Sequence, residues 1–233
     1  MDSYKIHRIA VIQSDFTEKF GVPRQSSLVT ELFSKIIFDK KYRTPDAIRE
    51  LDNFSHIWLL WLFSESIDSY RWSPTIRPPR LGGNKRIGVF ASRSPFRPNH
   101  IGLSSVRLEG IDEDPNYGPI LTVSGADLVN GTPIIDIKPY IPYSDCHPNA
   151  IAGYVQEAPN RVLTVYIPPE LKSLLGIQRT EGLRKALALD PRPQYQKSSQ
   201  KVYGMSFAGY NIKFQITDDK LSVTDFSPAH GNM

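Results

Sequence analysis

One cysteine, Cys146, stands in 233 residues. That excludes an internal disulfide framework and a cysteine-rich zinc site, and it fits a reducing, cytoplasmic setting. The five histidines (His7, His56, His100, His147 and His230) have no metal-ligand spacing with the cysteine or with carboxylates, so no metal is expected. The longest apolar run, Ile57 to Phe63, is far too short for a helix to span a bilayer. The first residues lack a basic segment followed by an apolar stretch, so no secretory leader and no membrane partner are expected. Neither a G-x-G-x-x-G nor a G-x-x-x-x-G-K-[ST] pattern occurs, which argues against a Rossmann-type cofactor site or a phosphate loop.

One further absence is informative. No acidic residue lies between Asp68 and Glu109, whereas Arg71, Arg77, Arg80, Lys85, Arg86, Arg93, Arg97 and Arg107 all fall there. A net charge of +4 says little alone, but a one-signed segment repels itself unless an anion compensates it. A polyanionic partner is the natural candidate. The composition otherwise belongs to a folded protein, at 40% hydrophobic and 22% charged.

The chain reads as mainly β. Lys5–Gln13 is β-branched enough for a first strand, and Thr44-Pro45-Asp46 sets up a helix start followed by Ala47, Ile48 and Leu51. His56–Phe63 is apolar throughout and predicts a strand covered on both faces. More strands are expected at Arg86–Ser92, Gly102–Leu108, Ile120–Gly125 and Ile134–Ile137, so residues 1–145 predict a barrel-like or curled sheet. A second pattern follows. It has a strand at Val162–Ile167, helices at Glu170–Leu175 and Glu181–Leu189 stopped by Asp190-Pro191, and a meander of Tyr203–Ala208, Asn211–Thr217 and Leu221–Thr224. Residues 146–233 are therefore expected to be a small α+β domain.

Two blocks concentrate chemistry. RPPRLGGNKRIGVFASRSPFRPNHIGLS (77–104) joins arginines to Gly82-Gly83, which admit a close ligand, and to prolines that stiffen the loop. DLVNGTPIIDIKPY (127–140) holds Asn130-Gly131, for which local sequence favours a hairpin turn. After it, Asp136, Lys138 and Tyr140 share one face at period two, either exposed or lining a pocket. These residues alone describe a two-domain, basic, polyanion-binding protein and specify no reaction.

These blocks, together with FGVPRQ (20–25), FSHIWLLWLF (54–63) and DPRPQY (190–195), resemble the signature segments of the TsaA-like family. Within it they are most similar to bacterial tRNA (adenine-N6)-methyltransferases that act on threonylcarbamoyladenosine at position 37. The resemblance covers about residues 5 to 225. It implies a single β-barrel-like catalytic domain using S-adenosyl-L-methionine, a small C-terminal domain, and a homodimer with cofactor near the subunit interface. Carried over by position, the cofactor site comprises Pro23, Arg24, Gln25, Ser64, Glu65, Arg93, Leu103 and the turn Asp127, Leu128, Val129 and Asn130. The chain departs from the family pattern at Ser64-Glu65, at His100 and at Asn130.

The expected reaction is transfer of the sulfonium methyl to N6, which needs alignment and no metal. Asp136 and Tyr140 are the expected proton acceptors, with Lys138 and Arg97 neutralising a carboxylate or phosphate. Arg77, Arg80, Arg86, Arg97 and the C-terminal domain would grip the anticodon stem-loop, threonine tRNA foremost. Two alternatives remain open on these residues: a non-catalytic RNA-binding module of the same fold, and a methyltransferase with another acceptor.

Overall fold

Strand-by-strand alternation of buried and open side chains builds the first part of the molecule. The structure, a computed structural model, describes residues 4–64, 72–78, 81, 83–155, 162–192 and 201–229. In chain order the strands are β1 (Ala10–Gln13), β2 (Phe33–Phe38), β3 (His56–Leu62), the short pair β4 (Thr75–Ile76) and β5 (Ile87–Gly88), β6 (Ile101–Asp114), β7 (Gly118–Ser124) and β8 (Pro133–Pro139). Six of them form one antiparallel sheet in the order β1-β2-β7-β6-β3-β8. The sheet curls until β8 meets β1 in a seam of two residue pairs, Ala10↔Ile134 and Val11↔Pro133. Ile12, Ile36, Ile57, Leu59, Val106, Leu121 and Ile134 fill its interior with no exposure, so its barrel-like body has a packed core.

β3 shows why one face points in. Ile57, Leu59 and Trp61 are buried, whereas His56, Trp58, Leu60 and Leu62 are only half-buried on the outer side. The strand expected to be covered on both faces is therefore covered fully on one. An apolar run cannot reveal which of its faces lacks a second layer. Gly102, opposite Trp61, permits the closest packing in the wall: a Cβ there would lie 2.3 Å from the Trp61 ring.

Other expectations shift. The helix start at Thr44 yields only two single 3-10 turns, Pro45–Ile48 and Leu51–Asn53, interrupted at Glu50 with φ 66°. The strand expected at Arg86–Ser92 shrinks to β5 and a 3-10 turn at Val89–Ala91. β6 runs far beyond Leu108, past a bulge between Leu108 and Gly110, and β2 gives no clear signal in FSKIIF.

After the one-turn helix α1 (Pro142–Asp145), β9 (Thr164–Tyr166) and α2 (Pro169–Ala188) pack on a meander of β10 (Val202–Phe207), β11 (Tyr210–Thr217) and β12 (Lys220–Pro228). The sheet order is β10-β11-β12-β9. Gly176, at φ 74° and ψ 173°, breaks α2 into the two helical stretches expected from sequence. Leu171, Leu183, Leu187, Phe207, Phe214 and Leu221 form this core, and Phe16, Val29 and Leu32 enter it from the segment between β1 and β2. The two parts therefore share side chains.

Candidate functional site

The turn after β7 is anchored from β1. Ser14 donates its hydroxyl to the Leu128 carbonyl at 2.9 Å and its N–H to Asn130 Oδ1 at 3.2 Å. The Asn130 and Gly131 N–H groups donate to Phe16 and Ile12 carbonyls at 2.7 and 2.8 Å. Asn130-Gly131 is thus a tight turn, with Gly131 at φ 81°, but not a hairpin. β7 pairs with β2 and β6 while β8 pairs with β3 and β1, so the turn crosses from one side of the sheet to the other. Leu128 is buried and Asn130 exposed.

Behind the turn lies a relay. The Trp61 indole donates to Ser104 Oγ at 3.0 Å, and Ser104 donates to Asp127 Oδ1 at 2.6 Å. Burial pushes the Asp127 carboxyl above its ordinary value, against the lowering effects of the Ser104 bond and the charge of Arg93. A desolvated carboxylate of this kind is incompletely compensated, and a ligand cation beside it would complete it.

Arg93 donates to Gln25 Oε1, and Gln25 donates to the Arg24 carbonyl at 2.5 Å. Arg24 reaches across to the Arg192 carbonyl at 3.2 Å, and the buried Arg192 guanidinium grips Asp190 with two 2.8 Å bonds. The backbone of the same segment is tied to the barrel through Ser27 N–H and the Gly125 carbonyl at 2.8 Å. Gln25, Arg93, Asp127 and the 128–130 turn therefore converge, and Pro23, in the same segment as Gln25, is buried. A groove of about 860 Å³ borders Asn130 and Gly131 on the side of Ser14, Asp15, Lys35 and Arg179. The residue types fit S-adenosyl-L-methionine: a guanidinium and an amide for its carboxylate, a desolvated carboxylate for one of its cationic groups, and a turn for its adenosine.

The remaining candidates lie elsewhere. Leu103 follows the outward face of β6, is 50% exposed, and pairs with Leu60, which in turn faces Asp136. Asp136, Lys138 and Tyr140 therefore belong to the outer side of the sheet. Lys138 pairs with Asp136 at 2.9 Å with both side chains well exposed, a contact of about 0–1 kcal/mol. The Tyr140 ring lies 5.6 Å from Trp58, whose indole donates to Asp145 at 2.8 Å. Desolvation, with Cys146 and Asp145 nearby, pushes the Tyr140 phenol up, so it stays protonated and donates.

Of the basic residues, Arg77 is exposed, and the exposed Arg86 donates to the Thr75 hydroxyl at 3.3 Å. Arg97 Nη1 is occupied by the carbonyls of Ser92 and Ser94, so it holds its own loop. Ser64 is exposed at the end of β3, and Glu65 and Arg80 lie outside the described residues. Among the described residues no cluster of His, Cys, Asp or Glu suits a metal, and no helix is long and apolar enough to cross a membrane. Ser104, Trp61 and the Asp190–Arg192 pair were not singled out by sequence reasoning. The only sequence signals for them were their places inside the motif blocks.

Comparison with known proteins covers both parts of the chain. A family model described as the tRNA-methyltransferase O N-terminal domain matches residues 11–146, and one described as the TrmO C-terminal domain matches residues 162–229. The tRNA (adenine(37)-N6)-methyltransferase of Escherichia coli K12 is 41% identical over 98% of this chain and 100% of its own. A Pseudomonas aeruginosa protein named as a putative S-adenosylmethionine-dependent methyltransferase, RcsF, is 37% identical over 84% of each. The crystal structure of TrmO from P. aeruginosa superposes with a TM-score of 0.79 at 30% identity, covering 98% of both chains.

Proposed function

The chain belongs to the tRNA-methyltransferase O family, and from that membership and its site we infer that it is an S-adenosylmethionine-dependent tRNA (adenine(37)-N6)-methyltransferase. We propose further that the acceptor is threonylcarbamoyladenosine in threonine tRNA, and that the enzyme works in the cytoplasm. The observation that carries the reading is the convergence of Gln25, Arg93 and Asp127 on the anchored turn at 127–130. These are the groups a zwitterionic, sulfonium-bearing cofactor needs, carried on loops that hydrogen bonds tie to the curled sheet.

The bound cofactor supplies an activated methyl group. The chain's own part is alignment. Gln25 and Arg93 hold the carboxylate end, Asp127 balances positive charge, and the turn positions the adenosine. N6 of adenosine is a weak nucleophile because its lone pair is delocalised, so its proton needs an acceptor. We assign that role to Asp136, with the Tyr140 phenol as a hydrogen-bond donor and Lys138 as counter-charge.

Asp136 lies on the outer face and Asp127 at the turn, so we propose that a homodimer brings one subunit's outer face to its partner's cofactor turn. Leu60, Leu103 and Trp58 supply the apolar part of that face. Residues 1–145 are assigned to catalysis and residues 146–233 to tRNA contact, with Arg77, Arg80 and Arg86 at the stem-loop.

The test is methyl transfer from labelled S-adenosylmethionine to threonine tRNA, with and without its threonylcarbamoyl group. Label in the modified tRNA alone supports the full reading. Label in both relaxes the acceptor. Cofactor binding without label in either means another acceptor, and no cofactor binding leaves only an RNA-binding module.

A further inference from the structure

The acid-free segment does more than carry charge. The 3-10 turn Val89–Ala91 buries Val89 at 1% exposure and turns the next side chain, Phe90, outward at 75%. The Val89 N–H is held by the Pro74 carbonyl at 3.0 Å, and the Ser73 N–H by the Phe96 carbonyl at 3.3 Å. These bonds lay residues 73–74 against residues 89–96. Next to Ser73, the ring of Trp72 is 53% exposed. Two large aromatic surfaces are thus presented by pinned backbone, among exposed Arg77, Lys85, Arg86 and Arg93 and with no carboxylate in the segment.

A single exposed aromatic is ordinary, and a solvated basic loop is too. Together they have the composition of a single-strand nucleic-acid surface: cations for the backbone and flat rings for bases. Its placement matters as well. Phe90 is three residues from Arg93, so the two Cα atoms lie within about 11 Å, and Arg93 is bonded to Gln25 in the site.

We propose that Phe90 and Trp72 are a base-stacking platform for unpaired nucleotides of the RNA substrate, set beside the Gln25–Arg93–Asp127 site. This rests on the tRNA-methyltransferase reading and names the surface that takes the loop nucleotides flanking the target. Rigid stacking there orders the loop, while the arginines bind its phosphates without regard to sequence.

The experiment uses the full-length chain and a labelled anticodon stem-loop RNA, with binding followed by anisotropy at several salt concentrations. Phe90→Ala and Trp72→Ala are each expected to weaken RNA binding roughly 5- to 100-fold. The slope of log affinity against log salt should stay unchanged, whereas Arg86→Ala should reduce it by about one. Affinity for S-adenosylmethionine and the mass by light scattering should both stay at wild-type values. Trp72→Phe should restore affinity but remove RNA-induced quenching of the exposed tryptophan. Wild-type RNA affinity in both alanine variants overturns the platform while leaving the methyltransferase reading intact. A change in mass instead makes this face a subunit contact and overturns it too. A wild-type protein that binds no stem-loop removes the platform together with the tRNA reading.

Discussion

Ser104 donates its hydroxyl to Asp127 at 2.6 Å while accepting the Trp61 indole N–H at 3.0 Å. The bond fixes the carboxylate at the turn without neutralising it, because a hydroxyl is a weaker partner than a cation. Burial holds the Asp127 pKa above its ordinary value despite this bond and despite Arg93. The ionised form of Asp127 is therefore disfavoured at this turn, and a cationic ligand beside it would favour it.

Asp127→Asn should consequently raise stability and lower cofactor affinity at the same time. A carboxyl whose folded pKa is raised adds its full stability below the unfolded pKa and loses it as pH rises through the folded value. At neutral pH the raised folded value thus costs stability, because the unfolded carboxyl ionises freely and the desolvated one does not. Asparagine keeps the acceptor for Ser104 and removes that cost. Urea melts at neutral and acidic pH check this. A gain at neutral pH that vanishes in acid is expected, and a loss at neutral pH sinks the account.

Cofactor binding should also depend on pH. A ligand cation beside Asp127 favours its ionised form, so affinity for S-adenosylmethionine rises as pH climbs through the raised Asp127 value. Binding then releases protons. Calorimetry in two buffers of different ionisation heat measures the release. Asp127→Asn should abolish it.

Gly102→Ala should cost stability because its Cβ would meet the Trp61 ring at 2.3 Å. Overpacking of this kind costs about 1–3 kcal/mol. It also displaces the indole that donates to Ser104, so cofactor affinity should fall with stability. Gly88→Ala is the control, since nothing lies within 4 Å of its added Cβ and φ there is −61°. Its change should stay within about 0.5 kcal/mol.

The outer-face assignment gives a kinetic split. Asp136→Asn should slow single-turnover methyl transfer by about 100-fold or more with cofactor affinity unchanged, because Asp136 stands apart from the Gln25–Arg93–Asp127 cluster of its own subunit and is assigned to the acceptor proton rather than to holding the cofactor. Tyr140→Phe should slow it less, since the phenol is a donor and not the proton acceptor. Wild-type rates in both variants remove the proposed acid–base roles.

Much of this was legible in the sequence, for identifiable reasons. β3, β7 and β8 carry alternating or continuous apolar residues, and the break of α2 at Gly176 coincides with the gap left between two helical patterns. β2 was not legible, because Ser34 and Lys35 interrupt its apolar pattern while Ser34 is buried at 6%. The turn at Asn130-Gly131 was visible but its meaning was not, since a hairpin and a crossover use the same two residues. Motif blocks located Gln25, Arg93 and Asp127, but only folding shows that Leu103 and Asp136 share the outward face while Ser104, next to Leu103, points to Asp127. Period-two alternation separates neighbours in sequence onto opposite sides of one wall.

The shared core makes a final prediction about where the chain can be divided. Phe16 is 2% exposed, lies edge-on to Phe207 with centroids 5.2 Å apart, and forms a bridge with it outside the named strands. Asp15 accepts the Ala208 N–H at 2.7 Å and pairs with Arg179 at 3.1 Å, and Glu31 pairs with Lys185. Val29 and Leu32 complete the same cluster. Excising residues 146–233 therefore removes three buried side chains from that core and exposes the surface they cover. Phe16→Ala in the whole chain should cost about 3–5 kcal/mol. The cost should appear as lost hydrogen-exchange protection in β10 and β11 as well as in β1, because the ring belongs to both parts. Since Arg24 reaches the Arg192 carbonyl from the cofactor loop, affinity for S-adenosylmethionine should weaken in the same variant. The isolated fragment should melt without a cooperative transition. A fragment that melts cooperatively, at the temperature of the full chain, would show that the C-terminal sheet and helix carry their own core and that Phe16 only decorates it.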